Sequence, residues 1–140
     1  MSVALLDVNV LLALAWPNHQ HHAAAHRWFS RSAKEGWATC PLTELAFVRL
    51  SSNPSFTRDA VAPGDALRLL ERICRLPGHR SWDALPAVAG LSSFALVGHQ
   101  QVSDAYLVLV AQRHKGTLAT FDTRISAWAG AARHVAVIEA

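Results

Sequence analysis

Two short, largely apolar runs that each stop at an aspartate constrain this chain more than any other feature. Val3–Leu6 ends at Asp7, and Thr117–Phe121 ends at Asp122. Runs of this length suit strands buried on both faces of a sheet. Gly36–Thr39, His79–Trp82 and Val135–Ile138 supply three further candidate strands. The segments between them read as helices. Asn9 is expected to cap a helix through Ala15, stopped by Pro17. His22–Lys34 is a second helical stretch, and Pro41, in the first-turn position proline tolerates, opens a third to about Leu50. Ser51–Thr57 is a loop around Asn53-Pro54, after which Pro63–Leu76 spaces Ala66, Leu69, Leu70 and Ile73 along one helical face up to Pro77-Gly78. Leu85–Gly90 is a short helix, and Ser103 is expected to cap a last one to His114. In that last helix every residue from Ala105 to Ala111 is apolar or aromatic, which places it centrally. Arg113, His114 and Lys115 followed by Gly116 are the expected stop. Strands alternating with helices predict an α/β fold with a central parallel sheet flanked by helices.

The composition agrees with one folded domain spanning 1–140. Of 140 residues, 51% are hydrophobic and 16% charged, which excludes a disordered chain. A domain of this size buries about two-thirds of its unfolded surface, so neither disulfide nor structural metal is required. The formal charge is +3, and eleven of the thirteen cations are arginines. That skew suits a phosphate-bearing partner and equally a GC-rich genome. Cys40 and Cys74 form no CxxC pair, so neither a zinc site nor a redox motif is expected, only buried thiols in a reducing compartment. Met1–Leu6 lacks a basic leader and no apolar stretch reaches membrane-spanning length. The expected location is the cytoplasm, with no membrane partner.

The ten acids separate into two groups by their immediate company. Glu35, Asp59, Asp65, Glu71 and Asp83 each have a cation within a helical turn, and Glu139 is terminal. Asp7, Glu44, Asp104 and Asp122 stand instead among apolar neighbours, with only Arg124 close to the last of them. Burying a carboxylate without a partner is very costly. Asp7 and Asp122 end strands, Asp104 begins a helix and Glu44 lies early in a helix that follows a strand. In a parallel α/β sheet those positions share one edge, where ligands bind. The four are therefore expected to converge, and a multivalent cation would make their repulsion tolerable. All-oxygen ligation points to magnesium, with manganese as substitute. With a phosphodiester, such an ion activates water and offsets charge on the transition state.

The same residues carry a family resemblance. Leu5-Leu6-Asp7-Val8-Asn9-Val10-Leu11, Thr43-Glu44, Ser103-Asp104-Ala105 and Thr117-Leu118-Ala119-Thr120-Phe121-Asp122, in that order, resemble the acidic signature of PIN-domain ribonucleases. The length and motif order look most like VapC toxins of type II toxin–antitoxin pairs. The resemblance implies a three-layer PIN-like fold and a magnesium-dependent endoribonuclease that cleaves tRNA or ribosomal RNA by metal-activated water. It also implies a homodimer and a cognate VapB-type antitoxin whose tail occupies the cleft. By position, Asp7 and Asp104 match the principal metal ligands, and Glu44 and Asp122 the acids that complete the site or orient water. Asn9, Ser103 and Thr120 match small polar positions around it. Some relatives carry another acid two residues after the last, where this chain has Arg124; that residue either grips the scissile phosphate or pairs with Asp122.

Other residues admit plainer readings. His22 and His26, in the cluster with His19 and His21, are one helical turn apart but have no cysteine or acid nearby, so exposed helix-start histidines are expected. His99 lies shortly before Asp104 and could serve as a general base. Trp16, Trp28, Trp37, Trp82 and Trp128 are expected mainly in the core, although tryptophan can stack on bases. Arg27 and Arg31 form either a phosphate-facing stripe or a solvated face. A haloacid-dehalogenase-type phosphatase would need an acid where Asn9 stands. A non-toxin RNA-processing nuclease and a non-catalytic RNA-binding module complete the alternatives.

Overall fold

Strand order decides which chain segments reach the edge where the aspartates end. A computed structural model of the chain describes residues 2–127 and 132–140. Its strands are β1 (Ala4–Leu6), β2 (Trp37–Thr39), β3 (His79–Ser81), β4 (Thr117–Thr120) and β5 (Val135–Val137). They form one sheet in the order β3-β2-β1-β4-β5, with every pairing parallel. The chain runs outward from β1 through β2 to β3, then returns to lay β4 on the other side. The boundary between β1 and β4 is therefore the switch point at which open α/β sheets bind ligands.

Side-chain alternation gives the sheet its two covered faces. Leu5, Ala38 and Leu118 point toward one core, built on α5 (Val102–Arg113). Ala4, Leu6, Trp37 and Ala119 point to the opposite core. There they meet α1 (Val8–Ala15) through Leu11 and Leu12, α3 (Pro41–Ser51) through Phe47 and α4 (Pro63–Ile73) through Leu70. Helix α2 (His22–Ser32) packs outside α1. The expected three-layer arrangement is present. The middle of α5 is apolar all round because Leu107, Val108, Leu109 and Val110 are all buried, partly under a 3-10 segment, Val88–Ser93. That segment replaces the short helix expected at Leu85–Gly90.

Both predicted caps move. Asp7, not Asn9, is the N-cap of α1: its backbone is extended and its carboxylate accepts the Val8 N–H at 2.8 Å. Asn9 already lies inside the helix. Ser103 does not cap α5, because a 3-10 turn, His99–Gln101, runs into the helix and makes Val102 its first residue. Trp37 and Trp82 are buried as expected, while Trp128 lies outside the described residues.

The exit from α5 also differs in detail. The Gly116 N–H bonds Ala111 O at 2.8 Å and the Lys115 N–H bonds Gln112 O at 3.0 Å, a Schellman closure. The residue with positive φ is Lys115 (58°), not the glycine. Gly116 is required for a different reason. A Cβ there would stand 2.4 Å from the Val3 carbonyl oxygen and 2.7 Å from the Trp82 ring. Gly116→Ala should therefore destabilise the protein by about 1–3 kcal/mol, by forcing α5 away from β1. Lys115→Gly should be neutral or stabilising, and urea denaturation of the two variants checks the contrast.

Candidate active site

The parallel register of β1 and β4 builds the centre of the site. Leu6 pairs with Ala119, and the next residue's N–H, that of Asp7, bonds Ala119 O at 3.0 Å. Asp7 consequently sits beside Thr120, whose hydroxyl donates to Asp7 Oδ2 at 2.8 Å. The same hydroxyl oxygen accepts the Asp122 N–H at 3.1 Å. Asp7 is only 6% exposed. Burial raises its pKa above the usual carboxylate range, the Thr120 and Val8 bonds oppose that rise, and the Asp122 charge adds to it.

Asp104 reaches the same edge from the first turn of α5 and is half-buried. Its pKa is pushed up to about 6, first by burial and then by the charges of Asp7 and Asp122, with Arg124 pulling the other way. A helix N-terminus favours an ionised carboxylate, but here burial and like charge outweigh it. Asp122 has its own cation. Arg124 donates from Nε at 3.0 Å and from Nη2 at 2.9 Å, and its backbone N–H adds a bond at 2.9 Å. These bonds lower the Asp122 pKa. Of the two roles expected for Arg124, the structure has it paired with Asp122.

Glu44, the fourth acid of the expected cluster, is held by a bond from the end of β2. The Thr39 hydroxyl, at the end of β2, donates to Glu44 Oε2 at 2.5 Å and lies 2.7 Å from His79 Nε2. Because Thr39 gives its proton to the carboxylate, His79 Nε2 must be the donor in the second contact. A strand-end hydroxyl five residues back thus holds Glu44 on the β2–β3 side. The sequence offered no local signal for His79 or Thr39 in this role.

Asp104 borders two depressions. One, of about 590 Å³, also has Asp7, Thr43, Ser103 and Arg49 in its wall, and its floor is apolar, with Val8, Leu91 and Leu107. The other, of about 320 Å³, is polar and is framed by Gln100, Gln101, Asp122 and Arg124. Arg49 and the two glutamines are lining residues that no motif marked. Asn9 is exposed on α1, and His99 is exposed in the 3-10 turn before α5. His22 Nδ1 and His26 Nε2 contact the carbonyls of Ala13 (2.7 Å) and Leu14 (2.9 Å), tying α2 to the end of α1. His21 stacks on Phe121 with ring centroids 4.6 Å apart. Arg27 and Arg31 are both exposed on α2.

Comparison with known proteins places this arrangement. The PIN domain family model matches residues 4–131. Ribonuclease VapC39 of Mycobacterium tuberculosis is 45% identical over 126 residues, covering 88% of this chain and 91% of the relative. Ribonuclease VapC38 of the same organism is 44% identical over 123 residues, covering 88% and 87%. The chain belongs to the PIN-domain VapC family. Among solved structures, FitAcB from Neisseria gonorrhoeae superposes with a TM-score of 0.58 at 19% identity, covering 98% of this chain and 97% of the other. FitAB bound to an IR36 DNA fragment gives 0.57 at 17% identity, covering 87% of each chain. At that identity the two structures attest to the fold alone. Among the described residues of this PIN domain, no helix is long and apolar enough to cross a membrane.

The raised Asp104 pKa has a consequence for stability. An aspartate whose folded pKa lies above its unfolded value binds more protons when folded, so stability falls as pH rises from about 3.8 through about 6. Asp104→Asn removes that penalty. Without added divalent metal at pH 7.5, the variant should be more stable than wild type by about 1 kcal/mol, discounted for solvent screening. The difference should vanish below pH 4. Thermal unfolding at the two pH values measures both.

Proposed function

We propose that this PIN domain is a magnesium-dependent endoribonuclease and the toxin of a VapBC-type toxin–antitoxin pair. Two lines support the reading: the relatives named as ribonucleases cover most of the chain, and Asp7, Asp104 and Asp122 share one edge of the sheet, with the Thr120 hydroxyl joining Asp7 to Asp122 and Asp104 lining one depression with Asp7 and another with Asp122. The second observation carries it. Asp7 and Asp104 have no cationic side chain within salt-bridge distance among the described residues, and their donor atoms are all carboxylate oxygens. That set fits a hard divalent cation, magnesium or manganese. Asp7 and Asp104 would hold the ion, with Asp122 beside them and Glu44, one oxygen of which accepts from Thr39, completing the acidic set. Bound there, the ion supplies a lowered water pKa and neutralisation of phosphate charge.

The chain's own groups do the positioning. Val8 N–H and the Thr120 hydroxyl occupy one oxygen each of Asp7 and fix its plane. Arg124, with its side chain 85% exposed beside the polar depression, offers its fork to an RNA phosphate in competition with Asp122. Ser103 and Arg49 bound the opposite, apolar side, where the tail of a VapB-type antitoxin is proposed to lie. The substrate is a structured RNA, a tRNA or ribosomal RNA, and the protein acts in the cytoplasm as a homodimer. Asn9, exposed and inside α1, is no acid and lies away from Asp7's hydrogen bonds, which disfavours a phosphatase of the haloacid-dehalogenase type.

The direct test is cleavage of an RNA pool with and without magnesium. Asp104→Asn should lower the rate by about 10²-fold or more while circular dichroism stays unchanged, and chelation should do the same to wild type. Undiminished cleavage by the variant, or in chelator, would remove the assignment. The pH dependence gives a second check. Below about 6 a proton competes for Asp104, so the magnesium needed for half-maximal rate should rise about tenfold per pH unit. Because Arg124 lowers the Asp104 pKa, Arg124→Ala should move that break to higher pH.

A further inference from the structure

The fold assembles a second group of metal-binding donors, of a different chemical character, beside the proposed nuclease site. The Glu44 carboxylate, the Cys74 thiol and the His79 imidazole each present a ligand atom, and all three atoms lie within 4.8 Å of one another. They come from three separate elements: the first turn of α3, the C-cap of α4 and the first residue of β3. We propose that Glu44, Cys74 and His79 form a site for a thiophilic divalent cation of the zinc type.

The donor set is what distinguishes it. Sulfur and imidazole select zinc over magnesium, and a three-ligand O, N, S set leaves a fourth tetrahedral position for water. Zinc bonds of 2.0–2.3 Å put donors about 3.3–3.6 Å apart, so closing onto an ion takes side-chain rotations of about an ångström. All three residues are half-buried, which leaves an ion a path from solvent. Thr39 already provides the outer contacts: its hydroxyl donates to Glu44, touches His79 Nε2 and stands 4.0 Å from Cys74 Sγ. Among the described residues that long contact is the thiol's one hydrogen bond, so a cation would displace no strong bond of Cys74. On binding, the thiol proton leaves to solvent and the sulfur–metal bond replaces it. The imidazole binds through its unprotonated nitrogen and the carboxylate through an oxygen, with one proton released per ion.

The absence of a CxxC pair argued against zinc because it tested only neighbours in sequence. Glu44 is 30 residues from Cys74, and only the packing of α3 against α4 and the pairing of β2 with β3 bring the donors together. An ion there would clip those elements, raising stability by mass action.

The site is tested on the whole protein by titrating cobalt, a coloured stand-in for zinc, in excess magnesium so that hard-oxygen positions are filled. One cobalt per chain with a thiolate-to-metal charge-transfer band, displaced by zinc, is expected. Zinc should also raise the thermal midpoint of wild type. Cys74→Ser should abolish the band, and Cys74→Ser and His79→Asn should each weaken binding at least about tenfold. Asp104→Asn should leave band and affinity unchanged, which separates this site from the nuclease reading whether or not RNA is cleaved. No band and no thermal shift in wild type would overturn the proposal. So would a band that survives in Cys74→Ser, which would point to Cys40, or one lost in Asp104→Asn.

Discussion

The Thr120 hydroxyl gives its proton to Asp7 across the β1–β4 boundary, and the polar edge of this domain is arranged around that bond. Two residues 113 positions apart meet because parallel pairing leaves the residues after Leu6 and Ala119 side by side. One carboxylate thereby caps α1, accepts from β4 and stays buried with both oxygens bonded. Two good donors make a buried negative charge tolerable without a salt bridge. They also fix it, so any neighbour brought to this edge must accept its field.

Asp104 is that neighbour, and its position is set by packing rather than by its own preference. Burial of Leu107, Val108, Leu109 and Val110 contributes about 1.5–3 kcal/mol each. Repulsion on a half-exposed carboxylate is about 1 kcal/mol after screening. The helix therefore docks where its apolar body fits, and Asp104 is carried beside Asp7 at a modest electrostatic cost. Such a local penalty inside a well-packed frame is characteristic of sites built to receive a ligand.

Asp122 and Glu44 show that being an acid in apolar company does not determine its partner. Arg124 is two residues from Asp122 and closes on it through the tight turn after β4. Glu44 is captured by Thr39, whose strand end faces the start of α3. Both partners lie within five residues in sequence, yet spacing left the Arg124 pairing as one of two options and gave no sign of the Thr39 bond, because the turn geometry decides which side chains face one another. The helix caps differ for the same reason. Asp7 rather than Asn9 is the cap because α1 begins at Val8, directly after the residue that ends the apolar run. Lys115 takes the left-handed position while Gly116 answers to a carbonyl on β1.

From the order of apolar and polar residues alone came the alternation of strands and helices, the parallel sheet, the central helix at Ala105–Ala111 and the convergence of Asp7, Asp104 and Asp122. Those features follow from local periodicity and from the cost of burying charge, which are written along the chain. Tertiary structure decided the rest: the Thr39 bond to Glu44, the pairing of Arg124, the two depressions flanking Asp104 and the meeting of Glu44 with Cys74 and His79. These depend on which side chains face each other across neighbouring strands and helices. Ångström-scale placement of that kind is set by packing and register, and no single stretch of sequence encodes it.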